Sequence, residues 1–399
     1  MGKDNTFKMK HLSIYILLFL AVISCRRNDI SSLEYYRDVP DLSRLVDSSD
    51  SMISGISLTP VKVDSVETSF VGFFWIDRDT LYFSDDYYNY IFKLRTDGSV
   101  IRRLVGRGQG PNEVAHFSYS IPIHDGYYLY SESNSVAYQF DKEWNKIGFE
   151  RVRWTGKNGE GKRRVNRPKP DEAIFYTPFL MINEGIQQWD SKHVAMNVST
   201  ELNNLNGFDG SGRYYKYVRT LALINIETSE LDGIFGRRPP IYIEKANIPS
   251  MDHMEYVVVD DMVLASFYPD STIYMLDRVN DCAIGKFGRQ GRDMNTNYIR
   301  TRTIEEGLER EDMDWEIFGY YDYIKYDKKR ELLFRGYKRG DHTEYDGLQI
   351  YKKYALIGDI DVPKGFKIIG YCNDKLIASI EDIEVKELAL YFYLVDFNE

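Results

Sequence analysis

Three arginines in this chain share one local context. Arg107, Arg237 and Arg289 each follow a glycine, in Val105-Gly106-Arg107, Phe235-Gly236-Arg237 and Phe287-Gly288-Arg289. A guanidinium group makes planar, bidentate contacts with carboxylate or phosphate, so like arginines at equivalent places would make an anion-binding ring. The competing expectation is structural: glycine supplies a positive φ at a strand exit, and the arginine lies over its neighbour as an ion pair. A second basic feature is the stretch 151–169. There Arg151, Arg153, Lys157, Lys162, Arg163, Arg164, Arg167 and Lys169 stand against the single acid Glu160. Arg163, Arg164 and Arg167 are candidate contacts for an anionic glycan or a protein partner. Neutralisation by the acidic run Glu305, Glu306, Glu309, Glu311, Asp312, Asp314 and Glu316, expected on a short helix, is the alternative.

Catalytic patterns are missing from the sequence. His11, His116, His124, His193, His253 and His342 show no metal-ligand spacing, and there is no Gly-x-Ser-x-Gly elbow. Neighbouring carboxylates such as Asp85 and Asp86 would suit a hydrolase or a calcium site, but no EF-hand-like ligand string accompanies them. Residues 106–110 echo a nucleotide-binding glycine loop without the surrounding β-α-β unit that such a loop needs. No catalytic residue, metal ligand or cofactor is assigned.

Location is written at the N-terminus. Lys3, Lys8, Lys10 and His11 lead into the 13-residue apolar run Leu12 to Ser24, too short to span a bilayer comfortably and closed by a small residue and a cysteine. This reads as a cleaved export signal over residues 1–24. Val22-Ile23-Ser24-Cys25 resembles the bacterial lipobox, which implies a diacylated Cys25 as the mature N-terminus. Arg26 follows in place of the Asp associated with inner-membrane retention. The expectation is therefore a lipid anchor in the outer membrane, on the periplasmic side. Two or three acyl chains anchor a protein stably where one does not.

The whole chain carries a net charge of −10, and loss of Lys3, Lys8, Lys10 and Asp4 on cleavage would leave −12. Such an acidic protein is not built for nucleic acid or for broad contact with anionic lipid. Cys282 and Cys372 read as small buried hydrophobes in non-adjacent repeats. The 32 Tyr and 21 Phe, with only 12 Pro, favour extensive β structure around a large buried core.

The organisation that would position these groups is a repeat. Apolar strand pairs joined by acidic or Asn-containing tight turns recur six times. They are centred on Asp77-Arg78-Asp79, His124-Asp125-Gly126, Asp190-Ser191-Lys192, Asp260-Asp261, Asp327 to Arg330 and Asn373-Asp374. Each is followed by a second strand pair, such as Tyr90 to Leu94 with Val100 to Leu104 across Thr96-Asp97-Gly98-Ser99. Antiparallel strands repeating in fours at this period are the pattern of propeller blades. The sixth blade lacks a strand, and Ile56 to Val63 is the donor expected to close the ring, with Pro60 at an edge. The expected fold is an all-β, six-bladed propeller over 54–399, with 25–53 as a lipidated tether.

On these repeats, the lipobox and the stretch Val105 to Glu113 ending in Gly110-Pro111-Asn112-Glu113, the chain resembles the TolB-like six-bladed propeller lipoproteins of Bacteroidetes. That resemblance implies a fold and an envelope location, and supplies no catalytic residues. Propeller geometry sorts the loops into a short-loop face and a long-loop face, the latter carrying Asp85 to Asn89, 201–215, 338–347, 151–169 and 291–318. Long loops in a compact domain are usually functional or disordered. The expected function is a binding or scaffold module acting through that face on a glycan, peptide or partner protein. The alternative is a propeller-type hydrolase or lactonase with its site at the channel mouth.

Overall fold

The computed structural model describes residues 30–45, 52–64, 66–154, 169–180, 185–200, 202, 204–208, 210–341, 343–381 and 389–398. Cys25, Arg163, Arg164 and Arg167 lie outside them. The described strands form six sheets arranged as the blades of a propeller, antiparallel throughout except where the short Glu113–Val114 pairs in parallel with Val100–Arg107. Blade one is Gly72–Asp77, Thr80–Asp85, Tyr90–Leu94 and Val100–Arg107, from innermost to outermost. Blade two is Tyr119–Ile123, Gly126–Ser131, Val136–Phe140 and Lys146–Arg151. Blade three is built on His193–Ser199, Leu221–Asn225 and Leu231–Phe235. Two short pieces, Thr177–Pro178 and Ile186–Gln188, share its innermost position against His193–Ser199.

Blade four is Met254–Val259, Met262–Phe267, Ile273–Asp277 and Cys282–Phe287. Blade five is Phe318–Asp327, Leu332–Gly340, Tyr345–Lys352 and Ala355–Pro363. Blade six takes Phe366–Cys372, Lys375–Ile380 and Tyr391–Asn398 from the C-terminal end and its outermost strand, Gly55–Lys62, from the N-terminal side. That pairing is antiparallel and unbroken from Gly55 opposite Asn398 to Lys62 opposite Tyr391. It is the expected closure.

The local chemistry explains the repeat. The tight turns need left-handed backbone, which Asp and Asn tolerate better than most residues. Asp260, Asn373 and Asp374 take φ of 50°, 49° and 60° at these turns. The second strand of blade two, Gly126–Ser131, is buried at every position, because neighbouring blades cover both of its faces. Between blades one and two the seam is aromatic: Trp75 stacks on Tyr82 at 4.3 Å, and Tyr127 on Trp144 at 3.9 Å. Cys282 and Cys372 are free and buried, in blades four and six.

Part of the stretch expected to be a tether is folded. A short helix, Ser32–Tyr35, begins a segment that runs over the rim of blades three and four. The Lys286 amide donates to the Pro40 carbonyl at 3.0 Å, and Leu42 sits over Gly285, where a Cβ would come within 2.8 Å of its Cδ1. Composition hid this segment: its polar residues are many, and its anchors Tyr35, Tyr36, Val39 and Leu42 follow no strand or helix period. Among the described residues, no helix is long and apolar enough to cross a membrane.

Candidate functional site

The three Gly-Arg dipeptides sit at or just after the outermost strands of blades one, three and four. That strand lies farthest from the ring axis, so equivalent positions there start at the rim. Arg237 is 1% exposed; its guanidinium lies 3.3 Å from Asp171 and also donates to the Tyr217 carbonyl. Asp171, with Asp281, also holds Arg219. Burial and then the nearby Arg219 charge pull the Arg237 pKa below its ordinary value. Arg107 and Arg289 are exposed, and their guanidinium groups meet no carboxylate among the described residues. The expected set of like side chains is thus one arginine in a buried ion network and two in solvent.

The glycines divide differently. Gly236 and Gly288 have φ of 73° and 119°; a Cβ would come within 2.5 Å of Thr220 Oγ1 at the first and 2.6 Å of the Ser271 carbonyl at the second. At Gly106 the nearest atom to a Cβ would be 3.8 Å away. Backbone geometry therefore demands glycine at two of the three exits. The adjoining glycine-rich loop is filled by its own chain: the Gly110 amide donates to Glu113 Oε2 at 2.8 Å, and a Cβ on Gly108 would lie 2.0 Å from the same oxygen. This carboxylate occupies the place that an anionic ligand would take in a phosphate cradle.

Sequence reasoning missed the site that the long-loop face assembles around His253. Phe179 follows Thr177–Pro178, and its amide donates to the Asn197 carbonyl at 2.9 Å, extending the inner edge of blade three. His253 immediately precedes the innermost strand of blade four. Trp315 comes from the helix Ile304–Ile317, whose start is capped by Thr303 Oγ1 accepting from the Glu306 amide at 3.1 Å. Gly307 lets that helix lie against Phe208, where a Cβ would be 2.1 Å from the ring. The Trp315 indole N–H donates to the Ser250 carbonyl at 2.8 Å.

These aromatic rings are contiguous. Phe179 stacks on His253 at 4.8 Å with 9° between planes, and Tyr268 and Trp315 lie 4.9 and 5.8 Å from the imidazole. Tyr320 stacks on Tyr268 at 5.0 Å. Below them Arg238 Nε donates to Asp252 at 2.5 Å, and Tyr214 donates to the other carboxylate oxygen at 2.6 Å. Phe179, Asn197, Thr220, Arg238, His253 and Phe267 line a cavity of about 10 Å³, the room of one water.

Two polar groups here are underused. Asn197 is 7% exposed and donates to the Met254 carbonyl at 2.7 Å, while its side-chain oxygen meets no described donor. No described residue hydrogen-bonds the His253 ring. Burial, and then the Arg238 charge, push the His253 pKa down to about 3, so the imidazole is neutral at neutral pH and offers one donor and one acceptor. Among the described residues, no three His, Cys, Asp or Glu side chains group as metal ligands would.

No family model matches this sequence, and no curated protein matches it. Solved structures do. A member of the DUF4221 family from Bacteroides vulgatus superposes with a TM-score of 0.63 at 11% identity, over 86% of this chain and 99% of its own. A "putative exported protein" from Bacteroides fragilis superposes with a TM-score of 0.51 at 12% identity, over 88% of this chain and 98% of its own. The likeness is one of fold. It sets the chain beside two Bacteroides proteins of like fold.

Two stability measurements check these assignments. Gly236→Ala and Gly288→Ala should each cost about 1–3 kcal/mol in urea denaturation, and Gly106→Ala within about 0.5 kcal/mol of nothing. Equal costs at all three positions would contradict the backbone assignment. For His253, the unfolded chain takes up a proton near its ordinary pKa of 6.5, and the folded chain only near 3. Its contribution is therefore intact above about pH 6.5 and lost as pH falls toward 3. The stability of wild type relative to His253→Gln should fall by about 3 kcal/mol between pH 7 and pH 4. A difference that stays constant over that interval would show that the imidazole is not buried as neutral.

Proposed function

We propose that this chain is an exported, lipid-anchored binding module that captures a glycan on its long-loop face, at Phe179, His253 and Trp315. The export signal and the lipobox-like Cys25 support envelope placement, as does the description of the Bacteroides fragilis protein of like fold as exported. The observation that carries the ligand class is the pair of half-buried aromatic rings, Phe179 and Trp315, set on either side of the neutral His253 imidazole. The cavity beneath them at Asn197 has room for one water or one ligand hydroxyl, so a sugar would lie over the rings and not within it. The C–H face of a pyranose ring packs on aromatic faces such as Phe179 and Trp315. The nearest cation, Arg238, is already committed to Asp252, so the pocket favours an uncharged sugar over a uronic acid.

Affinity electrophoresis against a panel of neutral and uronic-acid polysaccharides tests this reading. The native protein should be retarded by a neutral polymer. Phe179→Ala and Trp315→Ala should each weaken that retardation at least tenfold without lowering the melting temperature enough to unfold the protein. Retardation by uronic-acid polymers alone, abolished by Arg107→Gln with Arg289→Gln and untouched by Phe179→Ala, would move the site to the exposed arginines. Retardation by no polymer would overturn the glycan assignment.

A further inference from the structure

The folded segment 30–45 changes what an anchor at Cys25 would do. On sequence alone residues 25–53 form a leash, which fully extended would let the propeller range about 95 Å from the membrane. In the structure the chain is already fixed at Ser32, whose hydroxyl donates to the Arg238 carbonyl. Tyr36 donates to the Arg237 carbonyl at 2.6 Å, and Tyr35 to Asp281 at 3.0 Å. The Tyr36 ring packs 4.5 Å from Tyr274, and Tyr35 and Tyr36 are 4% and 7% exposed. Asp41 then bridges to Lys286 in parallel, along the outermost strand of blade four. Five peptide steps separate Cys25 from Ile30, a reach of about 18 Å at full extension.

We infer that this segment is a clamp, and that the rim between blades three and four is the surface held against the lipid headgroups. The inference rests on the reading of Cys25 as lipidated. Two apolar side chains stand exposed beside the clamp: Leu33 within it, 47% exposed, and Val279 in the turn that receives Tyr35, 74% exposed. A bilayer within reach of Ile30 would cover both. The clamp also reaches the binding face directly, because the two carbonyls it captures belong to Arg237 and Arg238, and Arg238 lies beneath His253.

The test uses the full-length lipoprotein reconstituted in phosphatidylethanolamine–phosphatidylglycerol vesicles carrying a brominated lipid. Leu33→Cys, Val279→Cys and, in the outermost strand of blade one on the far side of the ring, Ile101→Cys are each labelled with a fluorophore. The native Cys282 and Cys372 are buried. A clamp predicts at least twofold quenching at positions 33 and 279 and none at 101. Equal quenching at all three sites in membrane-bound protein would overturn the clamp and leave the anchor standing. If the protein with intact Cys25 does not sediment with the vesicles, or sediments equally as Cys25→Ala, the anchor itself is overturned, and the clamp with it.

Discussion

The antiparallel ladder between Gly55–Lys62 and Tyr391–Asn398 is the interaction on which the rest of this structure depends. A single four-stranded blade buries little apolar surface by itself; it becomes stable by being sandwiched between neighbours. Blade six has three strands from one end of the chain and one from the other, so the ladder joins the termini of the fold across its full length. It also covers apolar surface, since Ile56 and Leu58 pack into the cluster shared by blades five and six. Without it, Tyr391–Asn398 would present an unpaired edge, and the inner strands that carry the long-loop face would lose their common axis.

That axis makes a candidate site from residues distant in sequence. Phe179, His253 and Trp315 belong to blade three, blade four and a helix inserted before blade five, and they meet only because the inner edges of those blades converge. The same convergence buries charge. Arg238 is tolerable at 3% exposure because Asp252 and Tyr214 take its donors, and Arg335 at 0% because Ser266 and the Asp270 and Ser271 carbonyls do. Removing one partner from such a set costs more than the set contributes as a whole, which makes these networks rigid supports for the aromatic rings above them.

Much of the architecture is legible in the chain itself. The acidic turns work as punctuation because Asp and Asn accept left-handed backbone more readily than most residues, as at Asp260 and Asn373-Asp374, although Arg78 and Glu331 take the same conformation at the turns of blades one and five. The missing strand of blade six is legible by counting. The long-loop face is less so. Gly-Arg recurs at three strand exits, but the sequence cannot show that these exits lie on the rim, nor that Arg237 is consumed by Asp171 while Arg107 and Arg289 stay in solvent. His253 carries no spacing signal, because its character comes from desolvation and from Arg238, not from neighbours in sequence. The clamp is hidden for a similar reason: a few aromatic anchors in a polar stretch fix a segment whose composition reads as a tether.

Native-state hydrogen exchange on residues 55–62 and 391–398 tests the closed ring most directly. Closure by the N-terminal strand predicts that the hydrogen-bonded amides of both strands are strongly protected and lose protection together, in the same global opening. Residues 55–62 exchanging at unprotected rates while 391–398 remain protected would contradict it.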